Sequence, residues 1–281
     1  MAIIHAKTIK LAFIIFVFSN FRNTTMNQSE LKSFLDEKYN LYNNKDFIGT
    51  DPIQIPHQFS KKEDIEIAGF LIATIAWGQR KSIIANGNKW MNSMDNAPHE
   101  FILNASAKEI SRLDNFVHRT FNGTDCVFFI KSLRNIYKKF GSIEAAFSDG
   151  LPTNKRDSFN SIALFRDRFF ETKHLPRSQK HVSNPVTGSS SKRLCMYLRW
   201  MCRNDKRGVD FGIWKAINPK DLYLPLDVHT GNVGRKLGLL NRTQNDWKAV
   251  EEITINLRKL DIKDPVKYDF ALFGLGAFDK F

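Results

Sequence analysis

The stretch SKKEDIEIAGFLIATIAWGQ, residues 60–79, decides the fold. From Ile67 to Trp77 nearly every position is apolar, so no helical face is left for water. A helix that is apolar all round either sits inside a large core or spans a membrane, and this run is too short to cross a bilayer. It reads as the central helix of a globular core. Ser60 with Glu63 three residues on has the form of a capping box and places the helix start there.

Working outward, the same helical period recurs along the chain. Ser29 ahead of ELKSFLDEKYNLYN marks a first helix, and further patterns fall at about 97–104, 107–114, 124–140, 158–170, 190–203, 228–240, 244–259 and 265–275. Gly141 is placed to stop the helix at 124–140. Period-two alternation is nearly absent, so the expected fold class is all-α. No internal repeat and no long Gly, Ser or Pro run divides the chain, although LPTNKRDS and HLPRSQKHVSNPVTGSSS are polar loops. Residues 26–281 are therefore expected to form a single helical domain.

The N-terminal residues 1–25 stand apart. Lys7 and Lys10 precede the apolar run Leu11 to Phe18, the outline of a signal peptide, but no small-x-small cleavage site follows. Met26 then opens an ordinary capped helix. The segment reads as a tail or mis-called start ahead of a signal-like leader.

Forty-two Lys and Arg against 29 Asp and Glu give a formal charge of +13 and favour a polyanionic partner, nucleic acid first. The three cysteines, Cys126, Cys195 and Cys202, show no CxxC spacing. Alone they build neither a disulfide framework nor a four-cysteine metal or iron-sulfur site, which fits a reducing, cytoplasmic setting.

Two stretches carry candidate chemistry. In NPVTGSSSKRLCMYLRWMCR, residues 184–203, Gly188 and Ser189, Ser190 and Ser191 stand directly before an amphipathic helix bearing Lys192 and Arg193. Backbone amides of such a turn, backed by the positive end of a helix dipole, suit a phosphate; serines at this place are also ordinary helix caps. In YLPLDVHTGNVGRKLGLL, residues 223–240, Asp227 lies between an apolar run and a helix carrying His229, Arg235 and Lys236. As an N-cap it accepts amide hydrogen bonds, and the apolar run before it delivers the carboxylate to a partly desolvated place.

Together these elements resemble the helix-hairpin-helix superfamily of DNA glycosylases, in which a Gly-x-Gly-x-Lys hairpin opens one helix and an aspartate starts a later one. GSSSK aligns Gly188 and Lys192, with Ser190 where the second glycine belongs, and LDVHTGNVGRKLGL aligns Asp227, His229 and Val233. FLIATIAWGQRKS is similar to the family's central helix and places Gln79 where a residue fills the gap left by a flipped base. The interval from Lys192 to Asp227 is long for common members and looks more like the archaeal branch acting on 8-oxoguanine. KYDFALFGLGAFDKF and FVHRTFNGTD are also similar to an uncharacterised bacterial family known by a domain-of-unknown-function label.

The resemblance implies a helical bundle with its active-site cleft between two helical subdomains, a hairpin at about 181–203 and an aspartate helix at 227–240. It implies excision of a damaged base from double-stranded DNA, with Lys192 attacking the sugar to leave a Schiff base and Asp227 stabilising charge on the sugar ring. Gln79 would fill the void, residues 188–191 would hold a phosphate, and Arg193, His229, Arg235 and Lys236 are candidate further DNA contacts. A non-catalytic DNA-binding relative of the same fold is the alternative, and a helical scaffold a third. Trp77, Trp90, Trp200 and Trp214 are possible stacking platforms, though such aromatics are more often core. His118 and His229 lack a second ligand at metal spacing on the same helix. No metal or other cofactor is expected, nor a membrane partner, and the chain is expected to be a monomer.

Overall fold

The computed structural model describes residues 26–281; the tail or signal-like segment expected over 1–25 lies outside them. Among the described residues the fold is all-α apart from one short hairpin. Helix α1 (Gln28–Tyr42) leads through 3-10 turns into α2 (Lys62–Ile75) and α3 (Arg80–Ser93). Next come α4 (Pro98–Asn104), α5 (Ala107–Ile110) and the antiparallel strands β1 (Val117–His118) and β2 (Phe121–Asn122). The chain continues through α6 (Gly123–Phe140), α7 (Ile143–Ser148), α8 (Ser158–Phe169) and α9 (Lys192–Cys202). It ends with α10 (Val228–Lys236), α11 (Trp247–Leu260) and α12 (Tyr268–Ala277).

Helix α2 is the centre of the core: every residue from Ile65 to Ile75 is buried. That includes the acid Glu66, whose carboxylate accepts from Trp214 Nε1 at 2.7 Å, Tyr137 Oη at 3.1 Å and the Ile143 amide at 3.3 Å. Burial pushes Glu66 up to about 7 despite these donors and Lys62 at 3.7 Å. Gly69 lets α9 come close, since a Cβ there would meet Met201 Cε at 2.8 Å and the Tyr197 ring at 3.2 Å.

A buried ion network fixes the far half of α9. Arg199 pairs with Asp210 and with Asp269 of α12, and Arg203 pairs with Asp205, Asp210 and Asp264. Helix α12 in turn packs on α1 and α10: a Cβ on Gly274 would lie 2.1 Å from the Tyr42 ring, and one on Gly276 would lie 2.9 Å from His229 Cβ.

Several boundaries differ from expectation. Ser60 does not cap α2; its N-cap is Lys61, with no side-chain bond. Asn27, not Ser29, caps α1, in a box with Glu30. The aspartate helix ends at Lys236 rather than 240, because the chain turns at Gly238, where φ is +68°. Helix α3 was not expected, although its buried Ile83, Gly87, Trp90 and Met91 follow helical spacing; Gly87 and three asparagines dilute the pattern. Gly141 closes α6 in the left-handed conformation, as its position suggested.

Candidate active site

Lys192 is the first residue of α9, and Asp227 is the N-cap of α10. Ser191 before the lysine holds φ +46°, a left-handed turn that swings the loop straight into the helix, and it caps nothing with its side chain. Asp227 divides its two oxygens. Oδ1 accepts the Thr230 amide at 2.9 Å, while Oδ2 lies 3.9 Å from Lys192 Nζ. Both side chains remain partly open to solvent, 29% for the lysine and 22% for the acid, so the pair is neither sealed in the core nor loose on the surface.

The pair lies in the wall of a cavity of about 710 Å³, a size in the range of roughly 300–1,000 Å³ typical of small-molecule sites. Phe47, Trp77, Trp200 and Phe273 give it aromatic walls. Asp51 and Asp269 add two further carboxylates and Arg80 and Arg199 two cations, Asp269 being ion-paired with Arg199. Burial pushes Asp269 up to about 6, against the pull of its partner Arg199. Burial also raises Asp51, against its bond from the Ile53 amide and the charges of Arg80, Arg199 and Lys192. The arrangement offers one amine beside one carboxylate oxygen in a roomy, half-apolar space.

The other expected residues divide into those near the cavity and those engaged elsewhere. Gln79 is exposed at the N-cap of α3, between the cavity-lining Gly78 and Arg80, and makes no capping bond. Ser190 and His229 line the cavity, the histidine ring 6.3 Å from Phe273. In the turn, the Gly188 amide donates to Pro185 O, the Ser189 amide to Asn184 O and the Ser191 amide to Ser189 Oγ, so these three donors are already satisfied within the loop. The turn is pinned to the start of α11 by the bond from the Trp247 amide to Gly188 O.

Arg193 is turned inward. Its guanidinium donates to Thr74 O and lies 4.8 Å from the centre of the Trp77 ring, and burial lowers it to about 10. It is thus part of the cavity wall, where desolvation and the Thr74 carbonyl hold it away from a surface phosphate. Arg235 is likewise spent on the fold, donating to Arg242 O, Thr243 O and Asn245 Oδ1. Lys236 is exposed beside the Phe281 ring, 5.5 Å from its centre.

Trp77 and Trp200 reach the cavity, whereas Trp90 and Trp214 belong to the core. His118 is buried and held by Asn86 and the Trp77 carbonyl; burial lowers its pKa and keeps the ring neutral. Among the described residues no group of three or more His, Cys, Asp or Glu is placed to hold a metal ion, and no helix is long and apolar enough to cross a membrane. Sequence reasoning missed Asp51, Phe47 and Asp269. Only the last left a signal, as an acid inside the apolar run YDFALFGLGA.

No curated protein and no solved structure matches the chain. The family model described as "Protein of unknown function (DUF2400)" matches residues 51–278, which include Lys192, Asp227 and every cavity residue named above except Phe47. The chain belongs to that family.

Proposed function

We propose that the protein is a DNA glycosylase of the helix-hairpin-helix type with an associated lyase step, acting on a damaged base turned out of duplex DNA. The observation that carries this reading is the 3.9 Å approach of Lys192 Nζ to Asp227 Oδ2 at a cavity with aromatic walls. The two residues come from separate helices, and the Thr230 amide of α10 donates to Asp227 Oδ1, which fixes the carboxylate while leaving Oδ2 toward the amine. A base inside the duplex is out of reach, so the nucleotide must be extruded, at a cost of a few kcal/mol that is least for a damaged pair.

In the reaction, Asp227 Oδ2 accepts a proton from the Lys192 ammonium, and the freed Nζ forms a bond to the sugar C1′. The bond from C1′ to the base breaks, and the base leaves with the electron pair and takes up the proton that Asp227 holds. The Asp227 carboxylate so restored then offsets the positive charge that develops as the ring opens. Opening of the sugar gives a Schiff base between Nζ and C1′; loss of a proton from C2′ then expels the 3′ phosphate and cuts the strand. Trp77, Phe47 and Phe273 supply apolar faces for the extruded base.

The test is base release from duplexes carrying 8-oxoguanine and other lesions. Lys192→Ala and Asp227→Asn are each expected to lower the rate by about 10² to 10⁴, the usual contribution of a nucleophile or proton acceptor. Release by Lys192→Ala at the wild-type rate would remove the lysine from the mechanism.

A further inference from the structure

The stretch RTQNDW, residues 242–247, supplies neither the amine nor the carboxylate of the site, yet it is hydrogen-bonded to the segments that carry both. At its far end the Trp247 amide donates to Gly188 O at 2.9 Å, and Ser189 pairs with Asp246 as an isolated antiparallel bridge. The turn that leads into Lys192 is thereby tied to the start of α11. Two residues before Trp247, Asn245 Nδ2 donates to the backbone oxygen of Asp227 at 3.3 Å. One short segment thus holds the approach to the lysine and the backbone of the aspartate.

The Asn245 side chain is half-buried at the cavity wall and fixed from behind. Arg235 Nη2 donates to Asn245 Oδ1 at 2.6 Å and to Thr243 O at 2.8 Å, while its Nε donates to Arg242 O at 2.8 Å. Arg242 in turn donates through Nε to Asp246 Oδ1 at 2.6 Å, and the same oxygen accepts the Ala249 amide at 3.1 Å, which anchors the segment on α11. Room for the asparagine comes from Gly231, where a Cβ would lie 2.8 Å from Asn245 Oδ1 and 3.2 Å from its Nδ2. Glycine weakens a helix relative to alanine, and here the missing Cβ is the space that the asparagine amide fills.

Asp227 is therefore gripped at both ends. Its backbone oxygen accepts the Gly231 amide at 2.9 Å as well as Asn245 Nδ2, and its Oδ1 accepts the Thr230 amide at 2.9 Å. With these fixed, Oδ2 stands 3.9 Å from Lys192 Nζ. We infer that residues 242–247 are a strap that sets the distance between Lys192 and Asp227, with Asn245 as the positioning residue for the Asp227 carboxylate. The geometric part of the inference stands by itself; its consequence for catalysis rests on the glycosylase reading above. A misplacement of about 1 Å between reacting groups costs up to about a hundredfold in rate.

The test pairs a readout without DNA with one that uses it. A water-soluble carbodiimide activates a carboxylate, the amine displaces the urea and loses a proton, and an amide forms with no spacer left between the two groups. Crosslinking of Lys192 to Asp227, read by peptide mass spectrometry, therefore reports their approach. Wild type is expected to give this crosslink, and Asn245→Ala and Gly231→Ala each to lower its yield by about tenfold. Both variants are expected to lower single-turnover base release from an 8-oxoguanine duplex by about ten- to hundredfold, with affinity for a tetrahydrofuran duplex held within about twofold. Gly231→Ala keeps the asparagine and only displaces it, and its thermal stability is expected to equal or exceed wild type, which separates positioning from folding. Wild-type crosslinking and base release in both variants would overturn the inference alone, as would a loss of DNA affinity with the crosslink intact, which would make Asn245 a ligand contact. Absence of the crosslink from wild type would overturn the inference together with the pair on which the glycosylase reading stands. Crosslinking as expected in a wild-type protein that releases no base would overturn the glycosylase reading and leave the strap in place.

Discussion

At the scale of single residues, Asp227 does two jobs with two oxygens, and substitution can separate them. Oδ1 holds the Thr230 amide at the start of α10, and Oδ2 faces Lys192. Asparagine keeps an acceptor for the amide but cannot take a proton. Asp227→Asn is therefore expected to unfold within a few tenths of a kcal/mol of wild type while losing base release, whereas Asp227→Ala loses the cap as well and falls by about 1 kcal/mol. Denaturant melts of the two variants check this; a large stability loss in the asparagine variant would mean that the Lys192 contact matters more to folding than the cap. Sequence alone made the type of Asp227 legible, because an acid before a helix reads as a cap. The direction of its second oxygen depends on where α9 lies, which no local pattern encodes.

At the scale of elements, α2 carries an unusual load, an acid within a helix that is otherwise apolar and wholly buried from Ile65 to Ile75. Burial raises Glu66 to about 7, above an unfolded carboxyl near 4.5. Below pH 4.5 both states hold the proton. As pH rises from there to 7 the unfolded chain loses it while the fold retains it, so stability falls across this window, by up to about 3 kcal/mol. Thermal melts from pH 4.5 to 7.5 should show this decline in wild type and a flatter profile in Glu66→Gln. An unchanged slope in the variant would assign the pH dependence to other groups.

The elements also show which parts of the fold could be read in advance. Helices with a strong apolar stripe, such as α6, α9 and α11, were placed to within a few residues. Helix α3 was missed because Asn86, Gly87 and Asn88 sit in its middle. Arg193 and Arg235 read in the sequence as candidate DNA contacts, since nothing nearby in sequence reveals that Thr74 O and Arg242 O accept their hydrogen bonds. Asp51 and Phe47 reach the cavity from 3-10 turns with no period to mark them.

At the scale of the whole molecule, the account joins three features that are remote in sequence. The net charge of +13 favours a polyanionic partner; the cavity of about 710 Å³ is the space proposed for an extruded nucleotide; and α9 and α10 bring an amine and a carboxylate to its wall. The central claim is that the Lys192 amine bonds to a sugar carbon, and borohydride trapping on a duplex with an abasic site tests it most directly, because reduction fixes a Schiff base permanently to the protein. The account predicts a covalent protein–DNA adduct in wild type, mapped by peptide analysis to Lys192 and absent from Lys192→Ala. An adduct that persists in Lys192→Ala, or none in wild type that binds the same duplex, would contradict it.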